Sequence, residues 1–60
     1  MKIEEITIFG QTWQIYFNRQ MRTWYGYRMM QGDLPEKCID HDERDYLLIF
    51  IGITIAQEKN

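Results

Sequence analysis

The stretch Tyr46-Leu47-Leu48-Ile49-Phe50-Ile51-Gly52-Ile53-Thr54-Ile55-Ala56 decides the architecture, because it is almost unbrokenly apolar in a chain of only 60 residues. Two readings compete for it. Ile49, Ile51, Ile53 and Ile55 alternate at period two, are β-branched and enclose Gly52, all marks of a strand. Against this, no turn signal interrupts residues 40–60, a length well beyond an ordinary strand. The segment also opens with Asp40-His41-Asp42-Glu43, in which Asp40 can cap a helix and Glu43 can reach back from the third position. The reading adopted is a helix over 41–58, with 46–56 as a fourth strand of a small all-β fold as the alternative.

On such a helix Leu47, Phe50, Ile51 and Thr54 form a stripe suited to cover a sheet. Leu48, Ile49, Ile53 and Ile55 then remain apolar on other faces, and a helix apolar nearly all round is normally buried nearly all round. These four are therefore candidate dimer-interface residues, and a twofold homodimer is expected. A membrane span is not, since the run falls short of the roughly 20 residues a bilayer requires and is flanked by charge.

Upstream, the pattern is β. Residues 3–9 and 12–18 carry apolar side chains at spacing two, and Gly10-Gln11 between them suits a type II′ turn. That turn sets Phe9 opposite Thr12, Ile8 opposite Trp13, Ile6 opposite Ile15 and Glu4 opposite Phe17. One face is then mostly apolar, while Glu5, Thr7, Gln14 and Tyr16 share the other. Residues 23–30 read as a third strand. A two-residue turn at Arg19-Gln20 places Trp24 beside Ile15 and Gly26 opposite Trp13, whose indole would cover the glycine, and points Tyr25 and Tyr27 outward. A loop longer by one residue would reverse every side chain. Gly32 and Pro35 mark a break at 31–35, and Pro35 opens a short helical turn through Lys37. The fold class that results is α+β: a three-stranded antiparallel meander, then one C-terminal helix packed on the sheet, in a single small domain spanning 1–60.

Composition bounds the chemistry. A hydrophobic share of 45% beside 27% charged residues is globular and not that of a disordered tail. Cys38 is the sole cysteine, which excludes an internal disulfide and suits a reducing, cytoplasmic setting. Met1-Lys2-Ile3-Glu4-Glu5 carries acid where a signal peptide has its apolar region, so secretion by that route is not expected. Cys38, Asp40, His41 and Asp42 form the one cluster with metal-ligating types. Its spacing matches neither a zinc nor a calcium site, so no metal or cofactor is expected. Nor does any catalytic or phosphate-binding motif occur, so the protein reads as no enzyme.

Charge is uneven within a net −2. Residues 11–30 contain Arg19, Arg22 and Arg28 without an acid, whereas acids dominate 33–45. Arginines interleaved with aromatics make Tyr16, Arg19, Arg22, Tyr25, Tyr27 and Arg28 the candidate partner-binding residues, with Trp13, Phe17 and Trp24 nearby. Tyr, Trp and Arg are the enriched types at protein-binding hot spots. The expected function is a non-catalytic module that occludes a larger protein partner. Its size and lack of chemistry are those of a small inhibitor or adaptor, antitoxin-like or of the phage anti-defence type. The alternative is a single-stranded nucleic-acid binder, which stacks bases on aromatics and neutralises phosphates with arginine. It requires the three arginines to share a face with the three tyrosines.

Overall fold

A computed structural model describes residues 2–59. The chain runs through β1 (Glu4–Ile8), β2 (Gln11–Asn18), β3 (Thr23–Arg28), β4 (Lys37–His41) and α1 (Arg44–Glu58). The strands form one antiparallel sheet in the order β1-β2-β3-β4, so each pairs with its neighbour in sequence. The helix crosses one face, seated mainly over β3 and β4.

The α+β class and the C-terminal helix stand as the sequence indicates, and the sheet gains a fourth strand. Residues 46–56 are helical, so the extra strand is instead Lys37–His41, where a short helical turn followed by a helix cap was expected. Only Ile39 of β4 packs against the core, which left little period-two signal among charged neighbours. Since Asp40 pairs with Tyr25 in the sheet, it is not free to cap a helix. The first turn begins after Glu43, which holds extended backbone (φ −122°, ψ 135°) and whose carbonyl accepts the N–H of Leu47 at 3.0 Å.

Both sheet registers differ from expectation by two residues. The first hairpin turns on Phe9-Gly10, with φ of +49° and +79°. Two successive positive φ values are those of a type I′ turn, whose twist matches the flanking strands. Gln11 therefore belongs to β2, and Ile8 pairs with Gln11, Ile6 with Trp13 and Glu4 with Ile15. The second connection spans four residues, 19–22. The Asn18 side-chain oxygen accepts the N–H groups of Gln20 and Met21 at 3.0 and 3.1 Å, and the Thr23 hydroxyl donates to the Met21 carbonyl at 2.8 Å. Phe17 then pairs with Trp24, and Gly26 with Ile15 instead of Trp13. A slip of two preserves faces, so Trp24 stays on the helix side while Tyr25 and Tyr27 point away from it.

Trp13, Ile15, Leu47, Ile51 and Ile55 are fully buried, with Ile6, Ile8, Trp24, Ile39 and Leu48 packed around them. The buried stripe of α1 is thus i, i+4, i+8, turned toward Ile55 and away from Phe50. Ile55, expected at a dimer interface, belongs to the chain's own core, and Leu48 packs against that core. Ile49 and Ile53 stay exposed. Gly26 permits the close seating: a Cβ there would stand 3.0 Å from Ile51 Cδ1 and 3.4 Å from Leu47 Cδ1. Gly26→Val should lift the helix and destabilise the fold by about 1–3 kcal/mol, read as a lower urea midpoint.

Parity also sends Arg28 inward, two residues after Gly26. It is fully buried, which removes it from the partner-binding set. Its guanidinium donates five hydrogen bonds. Nη1 reaches Glu58 Oε1 at 2.6 Å and Gln11 Oε1 at 3.0 Å; Nη2 reaches Glu58 Oε2 at 2.9 Å and the Pro35 carbonyl at 2.6 Å; Nε reaches that carbonyl at 3.2 Å. The Trp13 ring lies 5.4 Å beneath, and its Nε1 donates to the same Gln11 oxygen at 3.2 Å. A desolvated charge survives only when paired and fully hydrogen-bonded, and the fork geometry of arginine supplies that here.

Hydrogen bonding to Arg28 holds the Glu58 carboxyl below its ordinary value of 4.5. Because the folded value is depressed, the stabilisation is present above the unfolded value and is lost as pH falls through the folded one. Thermal melts should therefore show the native protein ahead of Glu58→Gln at neutral pH, with the gap closing below pH 4.5.

Candidate functional site

With α1 on one side only, the opposite face of the sheet has no covering layer among the described residues. Alternation places Glu5, Thr7, Gln14, Tyr16, Tyr25, Tyr27, Cys38 and Asp40 there. Cross-strand pairing sets Tyr16 against Tyr25 and Tyr25 against Asp40, while Gln14 lies beside Tyr27 and Tyr27 beside Cys38. The Tyr16 and Tyr25 rings stack with centroids 5.4 Å apart and planes 21° from parallel. Such a pair is worth about 0.5–1.5 kcal/mol beyond its burial, and it holds both rings in one orientation. The third ring is fixed differently: Tyr27 donates its hydroxyl to Glu36 Oε2 at 2.6 Å.

Acids border this aromatic row. Glu36 and Asp40 lie along the β4 edge and Glu5 on the β1 edge. Their influence shows in the titration of their neighbours. The hydrogen bond to Glu36 raises the Tyr27 phenol above its usual value, assisted by partial desolvation. The Cys38 thiol is also raised, first by partial desolvation and then by the charges of Asp40 and Glu36. A raised thiol carries less thiolate at neutral pH and is a poor nucleophile.

The expected site residues thus separate into two groups. Tyr16, Tyr25 and Tyr27 share the open face. Arg28 lies beneath the opposite one, while Arg19 and Arg22 sit on the exposed 19–22 loop at one end of the sheet. Arg22 has φ of +52° there. Arg19 lines a half-open cleft of about 770 Å3 beyond the start of α1, together with Lys2, Glu4, Phe17 and Trp24. Glu4 is engaged by Arg44 at 2.7 Å, and Arg44 also overlies the Trp24 ring at 6.0 Å. Sequence reasoning placed Glu5 on the face of Tyr16 but missed Glu36 and Asp40 as neighbours of the tyrosines, because the β4 pairing that brings them there was not visible.

The metal-ligating types do not converge. Cys38 and Asp40 face the open side, whereas His41 turns to the helix side, where it packs 5.2 and 5.4 Å from the Tyr46 and Phe50 rings. Its Nδ1 accepts the N–H of Glu43 at 3.0 Å. Among the described residues no three side chains group as a metal site, and no helix is long and apolar enough to cross a membrane.

Comparison with protein-family models, curated proteins and solved structures finds no match to this chain.

The thiol offers a direct check of the acidic border. At about pH 8 the folded protein should react with iodoacetamide more slowly than the urea-unfolded chain, and Asp40→Asn should narrow the difference.

Proposed function

We propose that this protein is a non-catalytic binding module whose open sheet face docks on a basic surface of a larger protein and occludes it. The carrying observation is the stacked Tyr16–Tyr25 pair on an uncovered face, beside a Tyr27 locked by Glu36. Rings already held in one orientation lose little side-chain freedom on association, and Tyr provides large contact area with a polar tip. Glu5, Glu36 and Asp40 around the rings supply the complementarity that steers a cationic partner and rejects others. An inhibitor or adaptor needs nothing more than such a surface.

The same features weigh against single-stranded nucleic acid. Phosphate binding draws on clustered cations, yet Arg28 is withdrawn into the core and the tyrosines are bordered by carboxylates. Immobilised protein should capture its partner, and Tyr16→Ala or Tyr25→Ala should each weaken capture roughly tenfold or more while circular dichroism stays native. Labelled single-stranded oligonucleotide should give no anisotropy change at low salt. Micromolar binding that falls steeply with salt would replace this reading with the nucleic-acid one.

A further inference from the structure

Helix α1 has two apolar sides, and only one is buried. Leu47, Ile51 and Ile55 are spent on the sheet. Tyr46, Ile49, Phe50 and Ile53 fall at i, i+3, i+4 and i+7, the spacing of a second stripe, bordered on one side by His41 of β4, against which Tyr46 and Phe50 pack. They are 51%, 54%, 44% and 45% exposed.

A second observation extends this surface. Phe9, at the first hairpin, holds φ +49°, a left-handed conformation that type I′ turns usually give to Asn, Asp or Gly. A bulky side chain there is disfavoured. Its ring is nevertheless 69% exposed and leans on the helix, 3.8 Å from where a Cβ on Gly52 would stand. Gly52 lies between Ile49 and Ile53 in the chain, so Phe9 flanks the stripe. The Lys59 ammonium stands 5.8 Å from the centroid of this ring, yet the ring stays largely exposed, and a strained, exposed phenylalanine is better accounted for by a surface that is covered in use.

We propose that this surface is a homodimer interface, in which two copies pair their α1 helices antiparallel about a twofold axis near Ile49 and Phe50. Area and charge both select a second copy. With roughly half of each side chain exposed, the stripe and Phe9 together offer on the order of 500 Å2, so two copies remove about 1,000 Å2, the lower bound of a specific interface. Asp42, Glu43 and Asp45 stand at the start of the helix and Lys59 at its end. Arg44 is already held by Glu4, and Glu58 by Arg28. Antiparallel pairing brings the acids of one copy to the Lys59 end of the other and aligns the helix dipoles favourably, whereas parallel pairing sets acid against acid. The same acids oppose an anionic lipid surface as the occupant.

The stripe faces away from the tyrosine face, so the dimer carries one tyrosine face on each outer side. Its consequence is a bivalent molecule that bridges two partner surfaces with gain in avidity. That consequence rests on the binding reading above; the dimer itself does not.

Sedimentation equilibrium of the full chain, with no partner present, tests the dimer. Mass should rise from one chain to two as concentration passes through the micromolar range into the low millimolar, and Ile49→Asp/Ile53→Asp should remain at one chain with native circular dichroism. Thr7→Asp, on the other face, should dimerise like the native protein. As a check independent of folding losses, Cys38→Ser/Phe50→Cys should form disulfide-linked dimers on mild oxidation, and Cys38→Ser/Thr7→Cys should not. A mass of one chain at all concentrations would overturn the proposal, as would dimerisation that survives the isoleucine changes or is abolished by Thr7→Asp. Neither result would touch partner capture by the tyrosines, which is read separately.

Discussion

Burial of a single cation ties four separate segments together. The Arg28 guanidinium cannot stay charged beneath a helix unless every N–H finds an acceptor, and the acceptors come from the start of β2, the loop before β4 and the last turn of α1. Gln11, Pro35 and Glu58 are thereby held to one geometry around the Trp13 ring. Apolar packing of Leu47, Ile51 and Ile55 is non-directional and would accept several helix orientations; the bidentate Arg28–Glu58 pair selects one. The helix is thus pinned at its far end by charge and along its middle by the absence of a side chain at Gly26.

Much of this was legible in the residues, for identifiable reasons. Period two fixed which face each side chain of β1 to β3 would take, and a two-residue slip in both hairpins left those faces intact. The slips arose in the turns. Gly10 was read as the first turn residue when it is the second, because a phenylalanine at positive φ is not what a type I′ turn leads one to expect. The inward position of Arg28 followed from the same parity that placed Trp24 inside. It was overlooked because arginine suggests solvent, and its acid partner lies 30 residues away in sequence. β4 was invisible since one inward isoleucine among charged residues makes no pattern.

The site inherits its character from the missing second layer. A sheet covered on both faces would have buried the tyrosines; covered on one, it leaves them to stack on each other across strands. At the end of the sheet where α1 begins, a cleft opens beside Trp24 and Phe17, and Arg44 of the first helical turn reaches its Glu4 and Trp24. The chain therefore presents surfaces of different chemistry: an aromatic face with acidic edges, a cleft bearing Lys2 and Arg19, and an apolar helix stripe.

The strand order carries a kinetic consequence. Every strand pairs with its immediate neighbour in sequence, so the sheet can zip from one hairpin to the next, each closing a short loop at small entropic cost. The arginine that needs its acid at the far end of the helix is different, since that contact joins β3 to the last helical turn, 30 residues further along the chain. Until it forms, the cation remains hydrated and opposes the burial that completes the core. Assembly of the sheet is thus expected to run early and quickly, with docking of the last helical turn as the step that makes the structure cooperative.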